Sequence, residues 1–135
     1  MKTCPVCARG KLERGVQLQT FRYKGKKLCY EQPGAWCNAC GEGILENADM
    51  VATEKLLSNF RANLDGYLTS EEIRRIRKKL GLTRKRAEEM LGADRHTFSR
   101  YEAGGARPPR ALDTLLRLLD HHPELLQEIP KGKAA

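Results

Sequence analysis

The sequence predicts an α+β chain in two parts, a small β-rich half carrying one helix and then an all-helical half. Three observations predict it. All five cysteines of the 135-residue chain fall between Cys4 and Cys40. Ten of the fourteen arginines follow Gly66. Apolar residues alternate with polar ones across residues 16–20, the period of a strand, and then recur every three or four residues after Asn47, the period of a helix. This layout places a first module at 1–65, a linker or hinge at 66–70 and a second module at 71–130.

In the first module Val16, Leu18 and Thr20 alternate with polar neighbours. Phe21–Lys24 and Lys26–Tyr30 then read as a hairpin around a turn at Gly25. Gln32-Pro33-Gly34 reads as the next turn. Asn47 suits a helix N-cap, and Val51, Leu56, Leu57, Phe60 and Leu64 form an apolar stripe expected to face the core. Gly66 suits the left-handed position that ends such a helix. Beyond it, Ser70 is expected to cap a helix carrying Ile73, Ile76 and Leu80, and Thr83 a second through Leu91. Gly92 is expected to turn the chain, and Asp94 to cap a third helix through Glu102, stopped at Gly104-Gly105. Pro109 opens a fourth and Pro123 a short last one. Residues 131–135 are expected to be disordered.

With 25 Lys and Arg against 17 Asp and Glu, a net charge of +8 and a pI near 9.4, the chain favours polyanionic partners. No apolar run approaches the roughly 18 residues of a membrane span. Met-Lys-Thr-Cys lacks the apolar core of a signal peptide, so the expectation is a cytoplasmic protein without a membrane role. Cytosolic thiols stay reduced, and an odd cysteine count cannot pair completely, so metal ligation is favoured over disulfides.

Cys4-Pro-Val-Cys7 and Cys37-Asn-Ala-Cys40 carry that chemistry. Two thiolates spaced two residues apart on a tight turn grip one ion, and two such knuckles complete a tetrahedral site. Four sulfurs leave no open position for water, which makes the expected Zn2+, one per chain, structural and not catalytic. A module of some 60 residues with one Trp has a marginal core that metal ligation can supplement. A redox pair or two disulfides are the alternatives. Cys29, outside the pairs, is expected to be a buried strand cysteine.

Leu82 to Gly92 followed by Ala93 to Glu102 has the layout of a helix-turn-helix. With Ala87 and Leu91 inward from the first helix and Phe98 and Tyr101 inward from the second, the helical period turns Arg95, His96, Thr97 and Arg100 outward. Arg and His donate to guanine edges and the Thr methyl touches thymine, so these four are the expected base readers of double-stranded DNA. Arg84, Lys85 and Arg86 open the preceding helix and are the expected phosphate contacts. The alternative, charges that only solvate a helix face, is weakened because they cluster where such a motif meets backbone and groove. A Leu-rich face from Leu112 to Leu126 predicts a dimer through the second module, which suits a two-fold symmetric operator.

Taken together, the two cysteine pairs with Gly41, Leu82-Thr83, Phe98-Ser99-Arg100-Tyr101-Glu102 with Gly104, and the His-Pro-Glu-Leu-Leu ending at 122–126 resemble the MqsA-type antitoxins, also called YgiT-type zinc-finger proteins. The order and spacing of the two halves make the resemblance specific. It implies an Xre-type helix-turn-helix after a zinc domain, a zinc domain that neutralises a cognate mRNA-cleaving ribonuclease toxin, and a dimeric second domain that represses the toxin-antitoxin operon. His96 stands where an Asn commonly reads bases, whereas Arg100 matches the second reader. Glu88 departs from the broader pattern, which places a small residue where the two helices cross. Either the recognition helix tilts or the carboxylate turns to solvent.

A free-standing zinc-containing regulator without a toxin is the competing function. An enzyme is not expected, because no Cys-His-carboxylate spacing, phosphate loop or paired acids stand out.

Overall fold

The computed structural model describes residues 2–130, and the tail expected to be disordered lies outside them. Two compact units meet between Leu57 and Ser58, inside one helix. Each has its own architecture.

The first unit is built on a long hairpin, β1 (Leu12–Tyr23) and β2 (Lys26–Cys37), with β3 (Gly43–Ile44) beside the end of β2. Lys24 and Gly25 form its tip, with φ of 49° and 77°, the two positive values that a two-residue hairpin turn matching strand twist requires. The pairing runs from Tyr23↔Lys26 back to Leu12↔Cys37. Gln32-Pro33-Gly34 is therefore not a turn but mid-strand, opposite Gln17, Val16 and Gly15. Pro33 is tolerated because β3 pairs only with Ala35 and Trp36, leaving β2 a free edge at Pro33 that needs no N–H. Gly34 answers to packing: a Cβ there would strike Leu45, and one at Gly43 would strike the Trp36 ring. Cys29, expected to be buried, is exposed opposite Thr20, on a ribbon face it shares with exposed Leu18.

Helix α1 (Asn47–Leu64) has Asn47 as its first residue and not as its cap, since the Glu46 carbonyl accepts the first helical N–H groups, of Asp49 and Met50. Its cap comes from Asp49, whose carboxylate accepts the Glu46 N–H at 2.9 Å. The expected apolar stripe is only partly inward: Leu57, Phe60 and Leu64 are half-buried, whereas Val51 and Leu56 are exposed. Polar residues take the inward positions of the first turns. Asp49 receives both Arg14 guanidinium donors (3.0 and 2.7 Å), and the buried Gln32 amide donates to the Asp49 carbonyl and accepts from Thr53. Arg14, then the Glu46 N–H, holds the Asp49 carboxyl down at about 2.

The second unit is helical: α2 (Ser70–Lys79), α3 (Arg84–Leu91), α4 (Thr97–Ala103), α5 (Arg110–His121) and a 3-10 turn, Pro123–Glu128. Leu68, Ile73, Ile76, Ala87, Phe98, Tyr101, Leu112 and Leu116 make one apolar core, with Phe98 edge-on to Tyr101 at 5.5 Å. Thr69, not Ser70, caps α2, in a reciprocal box with Glu72. Thr83 caps α3, and Gly92 and Gly104 end α3 and α4 in the left-handed conformation. Residues 66–70, expected as the joint, are tied into this unit. Leu68 is buried and its N–H donates to Asp113 at 2.7 Å, while the guanidinium groups of Arg107 and Arg110 lie over the Tyr67 ring at 4.5 and 4.0 Å. Buried Arg77 donates twice to buried Glu102 (2.6 and 3.1 Å), and a third bond goes to the Leu82 carbonyl.

Candidate metal centre and nucleic-acid interface

The hairpin register explains how two cysteine pairs with 29 residues between them meet. Cys37 ends β2 opposite Leu12, the first residue of β1, and the chain before Leu12 folds back so that the Cys4 N–H donates to the Gly10 carbonyl at 2.9 Å. Asn38 and Lys11 then bond across the root of the hairpin in both directions. The two knuckles are quasi-equivalent: Ala8 and Gly41, each directly after the second cysteine of its pair, both have positive φ (61° and 77°). Gly10 escapes a sequence reading, yet a Cβ there would run into the Cys37 sulfur and Ala39.

The sulfurs of Cys4, Cys7, Cys37 and Cys40 lie within 4.8 Å of one another, with Cys4–Cys40 at 3.7 Å and Cys7–Cys37 at 3.6 Å. A tetrahedron with bonds of about 2.3 Å to sulfur has edges of about 3.8 Å, so the donor set fits zinc. Backbone N–H groups point at the sulfurs: Val6 at Cys4, Gly10 at Cys7, and Ala39 and Cys40 at Cys37, all at 3.3 to 3.4 Å. Such donors favour thiolate. The Cys40 N–H chiefly, with that of Ala39, holds the Cys37 thiol down to about 6, and the Gly10 N–H leads the lowering at Cys7, whereas burial and the neighbouring sulfurs, that of Cys37 first, push the Cys40 thiol up to about 12. Four thiolates close the coordination sphere, and the site is that of a structural zinc.

In the second unit a cleft of about 670 Å³ between α3 and α4 brings together Arg84, Lys85, Arg95 and His96, with Glu88, Glu89 and Ser99 also lining it. Arg95, His96, Ser99 and Arg100 are exposed. Thr97 is not: it is buried, and its hydroxyl donates to the Asp94 carbonyl at 2.6 Å. The expected cap at Asp94 starts the helix too early. It begins at Thr97, after His96 takes the left-handed conformation (φ 67°, ψ 6°), and this turns the Thr97 side chain back toward the turn. Among the expected phosphate contacts, Lys85 is exposed, Arg84 also reaches Glu102 at 3.3 Å, and Arg86 pairs with Glu89 at 3.6 Å. Glu88 does not turn to solvent. It is buried, and its two oxygens accept the N–H groups of His96 and Phe98, each at 3.1 Å.

A four-thiolate zinc module followed by a helix-turn-helix defines a class of small metal-stapled regulators. The chain matches, over residues 1–130, the family model described as the antitoxin component of a bacterial toxin-antitoxin system, MqsA. It is 38% identical over 128 residues to antitoxin MqsA of Escherichia coli (strain K12), covering 93% of this chain and 98% of that one. The protein belongs to the MqsA antitoxin family. A solved structure of the N-terminal domain of the E. coli protein MqsA aligns with 48% of this chain and 98% of its own, at 26% identity and a TM-score of 0.45. Among the described residues no helix is long and apolar enough to cross a membrane.

Proposed function

We propose that the protein is a cytoplasmic antitoxin and transcriptional repressor, without catalytic activity of its own. Residues 1–65 bind and neutralise a cognate mRNA-cleaving toxin, and residues 71–130 bind operator DNA as a dimer. The carrying observation is the cleft where Arg84 and Lys85 of α3 stand beside Arg95 and His96 at the start of α4. Arg95, His96 and Arg100 are exposed donors suited to base edges, whereas the exposed charges of Lys85 and Arg84 suit phosphate. Of the expected Leu-rich face, Leu112, Leu116 and Leu119 are buried within the chain, and only Leu118 (50% exposed) and Leu125 (37%) remain for a two-fold interface.

The test is a titration of variants against operator and scrambled duplex at several salt concentrations. A bidentate Arg–guanine pair supplies about 1–3 kcal/mol of discrimination, so Arg100→Ala should collapse the operator preference while random-duplex affinity changes much less. Lys85→Ala should weaken both duplexes alike and lower the salt slope by about two for a dimer. Equal losses on both duplexes for Arg100→Ala would refute its role as a reader. Co-purification of the native operon products tests the toxin partner.

A further inference from the structure

We propose that Glu88 is the positioning residue for base reading, the group that sets where the recognition helix begins and how it is aimed. The proposal rests on the DNA-reading function above. Helix α4 starts without a cap of its own: His96 stands at the N-cap in the left-handed conformation and its side chain makes no capping bond. Positive φ is uncommon outside glycine, although His, like Asn and Asp, tolerates it better than most. The surroundings must hold it there.

Glu88 does so from the neighbouring helix. Its Oε1 accepts the His96 N–H and its Oε2 the Phe98 N–H, so one carboxylate occupies two donors that an ordinary cap would satisfy. Its backbone carbonyl meanwhile accepts the N–H groups of Gly92 and Ala93, the latter at 2.9 Å. One residue thus fastens both ends of the turn between α3 and α4. Two consequences follow for reading. The carboxylate fixes the backbone from which the His96 side chain projects, and through the start of α4 it fixes the angle at which Arg100 leaves the helix one turn later. It also engages the inward amides at the α4 terminus, so that DNA meets His96, Ser99 and Arg100 as side chains. The carboxylate is a buried negative charge in a cleft lined by Arg84, Lys85 and Arg95, a location that non-specific phosphate binding alone would disfavour.

The experiment compares the wild-type protein with Glu88→Gln, Glu88→Ala and Glu89→Gln. It measures amide hydrogen exchange, together with affinity for operator and for scrambled duplex. Gln keeps the length of Glu88 but only one accepting oxygen, so exchange at His96 or Phe98 should accelerate. The operator-over-random ratio should fall about tenfold, as expected when a charge-assisted bond is lost. Random-duplex affinity should hold or rise. Glu88→Ala should release both amides and lower the ratio further. Glu89→Gln removes the same charge from the exposed rim of the cleft and should shift both affinities equally, leaving the ratio in place. Equal losses on both duplexes for Glu88→Gln, a ratio that stays fixed while the amides are released, or amides that stay protected would each overturn the role of Glu88. A wild-type protein without any operator preference would instead remove the DNA-reading function on which the proposal rests.

Discussion

The two units solve the same stability problem by opposite means. In the first, no aliphatic or aromatic side chain among the described residues is fully buried; the buried set is Cys4, Cys37, two glycines and the polar Gln32, Asp49 and Thr53. In the second, eight apolar residues form a continuous core. A chain segment that buries so little apolar surface cannot offset its conformational entropy by burial alone. The zinc site and the Arg14–Asp49–Gln32–Thr53 network supply what burial does not. The comparison teaches that a metal-held unit can leave apolar residues outside: Val16, Leu18, Met50, Val51 and Leu56 stay on its surface, where the proposed toxin partner would cover them.

Breaking the metal site should have the largest effect. Structural zinc contributes about 10–16 kcal/mol of apparent binding free energy in zinc-finger peptides, so Cys37→Ser or a strong chelator should unfold the first unit while the helices of the second persist. Trp36, the only Trp in the chain, reports the first unit by fluorescence, and far-ultraviolet dichroism follows the helices. The mirror experiment is Phe98→Ala. Removing this fully buried ring should cost about 3–5 kcal/mol and should melt the second unit without releasing zinc. Glu102→Ala comes next: it strands buried Arg77 and should cost about 3 kcal/mol, read as a lower melting temperature of the helical signal alone.

The smallest expected effect is acid dependence. Arg75, then Lys79, holds Asp120 down to about 2, below its ordinary 3.8. A lowered carboxyl pKa means a contribution fully present above about pH 4 and lost as pH falls through about 2. Pairs this exposed are worth about 0–1 kcal/mol, so Asp120→Asn should flatten the acid slope of the helical melt slightly and leave the melt at pH 7 little changed.

The contrast also explains what the sequence disclosed. Cys4, Cys7, Cys37 and Cys40 were legible because ligand spacing is a local property. The second unit was legible because Ile73, Ile76, Leu112 and Leu116 repeat at helical spacing and Thr83, Gly92 and Gly104 sit at its joints. Misreadings arose where the cause is distant in sequence. Gly34 resembles a turn residue, but Trp36 and Leu45 dictate it. Val51 and Leu56 look like core because the inward face of α1 begins with polar Asp49 and Thr53, whose partners lie on β1 and β2. Thr97 looked outward because Asp94 resembles a cap, whereas the true start of α4 is set by Glu88, eight residues before His96.

The metal is expected to hold the unit proposed to meet a toxin and to leave the unit proposed to read DNA independent. Full-length protein, titrated with chelator, should lose co-elution with the co-expressed toxin and the folded Trp36 signal together. Operator affinity should stay within about twofold, as expected for sites without shared partners. Loss of operator binding in step with zinc release would contradict the account.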